Sequence, residues 1–107
     1  METNVKEIDV KTNAYNAGRL YAIYEAIFKE SGARMNQFYQ VQRNPAAVIS
    51  DMAGLAVGES AYNKYEKSLC EVYDDISELP NSLDVENRAT FVMGYYHQRN
   101  KLHKKEH

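Results

Sequence analysis

From Tyr62 to Ile76 the apolar positions recur as one face of an α-helix does: Tyr62, Tyr65, Leu69, Val72, Tyr73 and Ile76 stand at i, i+3, i+7, i+10, i+11 and i+14. The other long apolar patterns share this period. Nowhere do apolar and polar residues alternate at period two between turn residues, so strands are not expected. The fold class that follows is all-α, a compact bundle of four to five helices. With 107 residues the chain has material for one core and not two. Residues 1–12 are mostly polar, with Val5 and Ile8 as anchors, and read as a flexible lead-in; residues 13–107 read as the single helical-bundle domain.

Chain punctuation divides that domain. From Thr12 or Asn13 a first helix has Ala14, Ala17, Tyr21, Tyr24 and Phe28 on one side, and Leu20, Ile23 and Ile27 widen the stripe until little polar face remains, as expected of a central helix. Gly18 inside it costs about 1 kcal/mol relative to alanine, which a close helix crossing offsets. Gly32 is the expected left-handed stop. A two-turn helix is expected over Ala33–Val41. The next starts at Asn44-Pro45, a capping residue followed by a proline tolerated at the first helical position, and buries Val48, Ile49, Met52, Leu55 and Ala56 before Gly58 closes it. The fourth runs from Glu59 or Ser60 to Pro80, with Glu66, Glu71, Asp74, Asp75 and Glu78 outward. The last starts near Asp84, which can accept from free N–H groups of the first turn. Ala89, Val92, Met93 and Tyr96 make its buried stripe, Gly94 marks a close crossing, and beyond Tyr96 the helix leaves the core as a basic tip.

Composition bounds the chemistry. Cys70 is the single cysteine, so no intramolecular disulfide forms, and no charged segment followed by an apolar core opens the chain. No apolar run approaches the roughly 20 residues that span a bilayer. A cytoplasmic protein without membrane contact is expected. His103 and His107 are spaced i, i+4, but two ligands on a helix tip among Lys104 and Lys105 fall short of a zinc site, and a solvated tail is the ordinary reading. His97 reads as a partly buried, hydrogen-bonded residue. Cys70 has no histidine at helical spacing to activate it, and Asp74 and Asp75, adjacent on a helix, point about 100° apart. Phosphate loops, dinucleotide fingerprints and nucleophile elbows are lacking. No catalytic residue, metal or cofactor is expected.

Charge is distributed unevenly beneath a net charge of −2. Glu59 to Glu86 is strongly acidic, whereas Asn87 to the end is basic. Ser31 to Ser50 holds Arg34 and Arg43, no acid, and Gln37, Gln40 and Gln42 between them; the last helix ends in Arg99, Lys101, Lys104 and Lys105. Amide and guanidinium groups donate to phosphates, contacts that position a nucleic-acid backbone without reading its sequence. These six basic residues are the candidate nucleic-acid contacts. By composition alone a basic helix end is ordinary surface.

Three blocks carry a family resemblance: AGRLYAIYE (Ala17 to Glu25), ELPNSLDVENRATF (Glu78 to Phe91) and GYYHQR (Gly94 to Arg99). In this order and spacing they resemble the C-terminal part of the large subunit of the subtype I-C (Dvulg) CRISPR Cascade, a domain also made separately as that complex's small subunit. The middle, Arg34 to Ala46, matches only loosely. The resemblance implies a non-catalytic Cascade subunit that packs along the crRNA-containing filament beside the other subunits. It also implies contact with the backbone of target DNA in the R-loop, with sequence read by guide pairing. A free chain starting just before the first block has the length expected of the small subunit. The acidic face of the fourth helix would suit a basic neighbour or another copy's basic tip. The alternative is a protein-interaction bundle, or the large subunit's own C-terminal domain, without direct nucleic-acid contact.

Overall fold

The computed structural model describes the backbone of residues 2–105 and the side chains of residues 10–104. Five helices and no strand occur among the described residues: α1 (Glu2–Glu30), α2 (Phe38–Arg43), α3 (Pro45–Ala56), α4 (Tyr62–Asp74) and α5 (Val85–Lys105). The expected all-α bundle is what forms. At 1.5 Å per residue, the 29 residues of α1 account for the long dimension of the molecule, 44 Å.

α1 is the centre because apolar residues occupy its whole circumference. Ala14, Ala17, Leu20, Tyr21, Ile23, Tyr24 and Ile27 are all buried. Three groups of neighbours take three sides. α5 runs parallel to α1 along Tyr15, Gly18, Ala22 and Ala26; α4 runs antiparallel along Asn13, Asn16 and Tyr24; Phe38 of α2 packs on Tyr21. At its end α1 stops as expected. Gly32 has φ +86°, its N–H donates to the Lys29 carbonyl at 3.1 Å and that of Ala33 to the Phe28 carbonyl at 2.8 Å, the paired bonds of a left-handed helix stop.

At the other end the expectation fails, because α1 starts at Glu2 and not at Thr12 or Asn13. Residues 2–12 therefore continue the helix backward. They contain no glycine or proline, and extending a helix already nucleated by the buried part costs little. α2 also differs, beginning at Phe38, so that Ala33 to Gln37 form no helix. Pro45 opens α3 as expected, although the Asn44 side chain makes no capping bond and its carbonyl accepts from Val48 N–H at 3.1 Å. Of the stripe expected there, Ile49, Met52 and Ala56 are buried, Val48 is half-buried, and Leu55 is 66% exposed.

α4 starts at Tyr62 and ends at Asp74, short of the expected Pro80. Two buried asparagines of α1 take the groups that would have continued it. Asn13 accepts from the Ser77 N–H at 3.0 Å, and Asn16 donates to the Asp75 carbonyl at 3.0 Å. A side chain that binds the chain end gives the backbone an alternative to another helical turn. The following segment lies against α3, where Ala46 N–H donates to the Pro80 carbonyl at 2.9 Å. Leu83 is buried, and Asp84 caps α5 by accepting from the Asn87 N–H at 2.8 Å.

Candidate nucleic-acid interface

The site begins with the seam between α1 and α5. A Cβ added at Gly94 would overlap the Tyr15 carbonyl oxygen and lie 2.8 Å from its carbon. One added at Gly18 would overlap the Phe91 carbonyl oxygen and lie 2.8 Å from the Tyr95 nitrogen. Two glycines thus let two helix backbones touch, and this contact fixes the rotation of α5. Phe91, Tyr95, Gln98 and Leu102 face inward. The stripe expected to be core is displaced: Ala89 is exposed, Met93 is 57% and Tyr96 47% exposed, and Val92 is half-buried. Both stripes have helical period. Gly94 must face α1 for the backbones to approach, and that turns the second stripe outward.

GYYHQR is consequently mostly a device for holding α5 on α1. After Gly94, the Tyr95 ring packs on Tyr21 and its hydroxyl donates to Glu25 at 2.6 Å. Tyr96 points outward, while His97, exposed, shares a hydrogen bond of 2.7 Å with the Tyr15 hydroxyl. Buried Gln98 accepts from the Arg19 guanidinium at 3.0 Å. Arg19 also donates to Asn16 at 2.9 Å and lies 3.5 Å from Asp75, so one guanidinium joins α5, α1 and the end of α4. Arg19, Tyr21 and Glu25 belong to AGRLYAIYE. The first and third blocks of the resemblance are therefore two sides of one seam, a pairing across 70 to 79 residues that spacing along the sequence does not reveal.

Burial and local contacts raise the pKa values of three tyrosines along these seams. Desolvation pushes Tyr21 up to about 12, with the Glu25 charge adding to it. Tyr24 is raised further by burial and by its 2.8 Å bond to the Tyr73 hydroxyl, and Tyr95 by burial and its bond to Glu25. These are protonated structural groups. Cys70 is exposed on α4, and among the described residues no three His, Cys, Asp or Glu side chains converge as metal ligands would. His107 lies outside the described residues. None of the helices described is long and apolar enough to cross a membrane.

The candidate basic residues occupy three places. Arg34 is exposed in the segment before α2, and Arg43 is exposed at the end of α2. Lys101 and Lys104 are exposed on α5; Lys105 is its last residue, with its side chain outside those described. Arg99 is half-buried. It walls a cleft of about 380 Å³ with Lys29, Glu30, Tyr65, Leu102 and His103. The expected departure of α5 from the core after Tyr96 does not occur, since Gln98 and Leu102 remain packed against α1. Helical geometry puts Arg99 and His103 on one flank of Leu102 and Lys101 on the other. The basic residues of α5 thus form two flanks and not one cluster. Ion pairs among the described residues are Lys11–Glu86, Arg19–Asp75 and Lys64–Glu30, and none uses Arg34, Arg43, Arg99, Lys101 or Lys104. Glu66, Glu71, Asp74 and Glu78 are exposed on and just beyond α4.

Residues 2–103, nearly the whole chain, match the family model described as CRISPR-associated protein (Cas_Csd1), which bears out the resemblance read from the three blocks. No curated protein matches the sequence.

Proposed function

Because the chain belongs to the CRISPR-associated Cas_Csd1 family, we propose that it is a non-catalytic subunit of a cytoplasmic type I-C Cascade, the small subunit or the equivalent C-terminal domain of the large one. In this reading it packs along the crRNA-containing filament beside the other subunits and holds the R-loop open by touching DNA strand backbone. The observation that carries it is family membership over nearly the whole chain. The charge pattern supports the manner of contact: Arg34, Arg43, Lys101 and Lys104 are exposed and bound by no acid among the described residues. Cations without an acidic partner among the described residues suit phosphates, which position a strand without reading its sequence.

The test belongs in the assembled complex. Replacing Arg34, Arg43, Arg99, Lys101, Lys104 and Lys105 should weaken target binding about equally for all sequences, with guide mismatches still discriminated. Each phosphate that is no longer neutralised should flatten the log-log salt dependence by close to one unit. Normal binding and interference by charge-reversed variants over a range of salt would refute the backbone contact. Loss of assembly before DNA is added would instead assign these charges to docking on protein, the role for which the exposed acids of α4 offer a complementary surface.

A further inference from the structure

The outward stripe of α5 and the exposed face of α2 meet through a chain of rings. Phe38 lies 4.9 Å from Tyr95 between centroids; Tyr39 is 6.3 Å from Phe38, and Tyr96 is 5.0 Å from Tyr95. The inner two rings belong to the packed structure, while the outer two are free: Tyr39 is 78% and Tyr96 47% exposed. A single exposed tyrosine is ordinary surface. Here each outer ring has an arginine one helical turn further on, Arg43 four residues after Tyr39 and Arg99 three after Tyr96, spacings that put ring and guanidinium on one side of the helix.

Acidic groups, which would repel a polyanion, are missing from α2 and, beyond Glu86 in its first turn, from α5. None occurs from Ser31 to Ser50 or from Asn87 to Lys105. Glu25, which reaches the ring chain from α1, is engaged by the Tyr95 hydroxyl. We propose that Tyr39–Arg43 and Tyr96–Arg99 are two ring-and-guanidinium pairs that take an unpaired nucleic-acid strand, each ring stacking on a base and each guanidinium meeting a phosphate. Every base has a π-face, so such a platform binds single strands with little regard to sequence. Duplex DNA, whose bases are already stacked, does not fit it. The proposal rests on the nucleic-acid reading of the function and adds to it a selectivity for unpaired bases.

The experiment titrates the full chain at low salt with three probes: a short oligothymidylate, an abasic strand of the same length, and a duplex. Binding is followed by fluorescence polarisation and by the aromatic proton resonances, with Tyr39→Phe and Tyr96→Phe assigning the rings. The oligothymidylate should bind more tightly than either other probe and shift both rings upfield. Tyr39→Ala and Tyr96→Ala should each weaken it roughly five- to a hundredfold, with the phenylalanine variants near wild type and circular dichroism unchanged. Equal binding of thymidylate and abasic strands, both weakened by Arg43→Ala and Arg99→Ala, would overturn the stacking and leave backbone contact standing. Absence of binding to all three probes would overturn the stacking, whereas the backbone contact is decided by the charge variants in the assembled complex. Alanine variants that bind normally but lose concentration-dependent self-association would also refute the proposal, in favour of a face covered by a second copy.

Discussion

Gly94→Ala tests the seam on which the arrangement depends. In an exposed helix interior the change stabilises by about 1 kcal/mol, because alanine is the better helix former. Here the added Cβ would sit 2.8 Å from the Tyr15 carbonyl carbon, against an ordinary limit of 3.4 Å, and closer still to the oxygen, so the helices must part by at least 0.6 Å. Both obstacles are backbone, and no rotamer change relieves them. A gap of 0.5–1 Å forfeits a quarter to a half of the dispersion well between facing atoms, and it would open along the Phe91, Tyr95 and Leu102 contacts. Overpacking costs about 1–3 kcal/mol, and more where nothing can yield. With the upper end of that range taken because both obstacles are backbone, and after the helix-propensity gain, the expected net loss is about 2 kcal/mol. Urea unfolding followed by far-UV circular dichroism measures it. Gly54→Ala is the control: Gly54 lies inside α3, where a Cβ meets nothing within 4 Å, and should gain about 0.5–1 kcal/mol. Gly18→Ala strains the same seam, so the double variant should cost less than the sum of the singles, one separation relieving both. A Gly94→Ala protein as stable as the Gly54→Ala control would refute the close crossing and the rotation of α5 derived from it.

Tyr65→Ala and Leu69→Ala, which remove buried side chains of α4, should each destabilise by about 2–5 kcal/mol in the same assay; unchanged midpoints for both would contradict the burial of that face. Asn13→Ala leaves the Ser77 N–H without its acceptor and should cost about 1–3 kcal/mol, whereas an effect within error would mean that the asparagine does not fasten the end of α4. Stability should also fall in alkali. Tyr21, Tyr24 and Tyr95 have folded pKa values above the unfolded value of about 10, so the unfolded chain loses its protons first and their contribution, complete below about pH 10, declines above it by roughly 1.4 kcal/mol per unit per tyrosine, for Tyr21 until about 12. Denaturant midpoints with tyrosinate absorbance read this directly; complete phenolate titration near pH 10 with the helices intact would contradict it.

Local signals carried the parts of the fold that local chemistry decides. Gly32 ends α1 because a left-handed residue is needed there, Asp84 caps α5, and the unbroken apolar circumference of α1 requires neighbours on every side. Signals failed where a distant partner arbitrates between two locally equal choices. The period in α4 runs on to Ile76, but Asn13 and Asn16 bind the chain at Asp75 and Ser77 and the helix stops at Asp74. α5 carries two overlapping stripes of helical period, and only the contact of Gly94 with Tyr15 selects Phe91, Tyr95, Gln98 and Leu102.

The same distinction separates the residues that identify the family from those proposed to meet a nucleic acid. Gly94, Tyr95 and Gln98 are constrained by Tyr15, Tyr21, Glu25 and Arg19, so a change on one side of the seam requires an answering change on the other. Such positions make a motif legible, and they are also the positions least available to a partner. Arg34, Arg43, Lys101 and Lys104 are exposed and outside those blocks, which leaves the sequence with charge and no geometry. Arg99 is the exception, the one candidate that lies inside GYYHQR, and its place explains why: it shares the cleft with Leu102, the inward residue three positions later, while standing one turn beyond exposed Tyr96. A residue set by the seam and facing outward from it is where the architecture of the bundle passes into its surface chemistry.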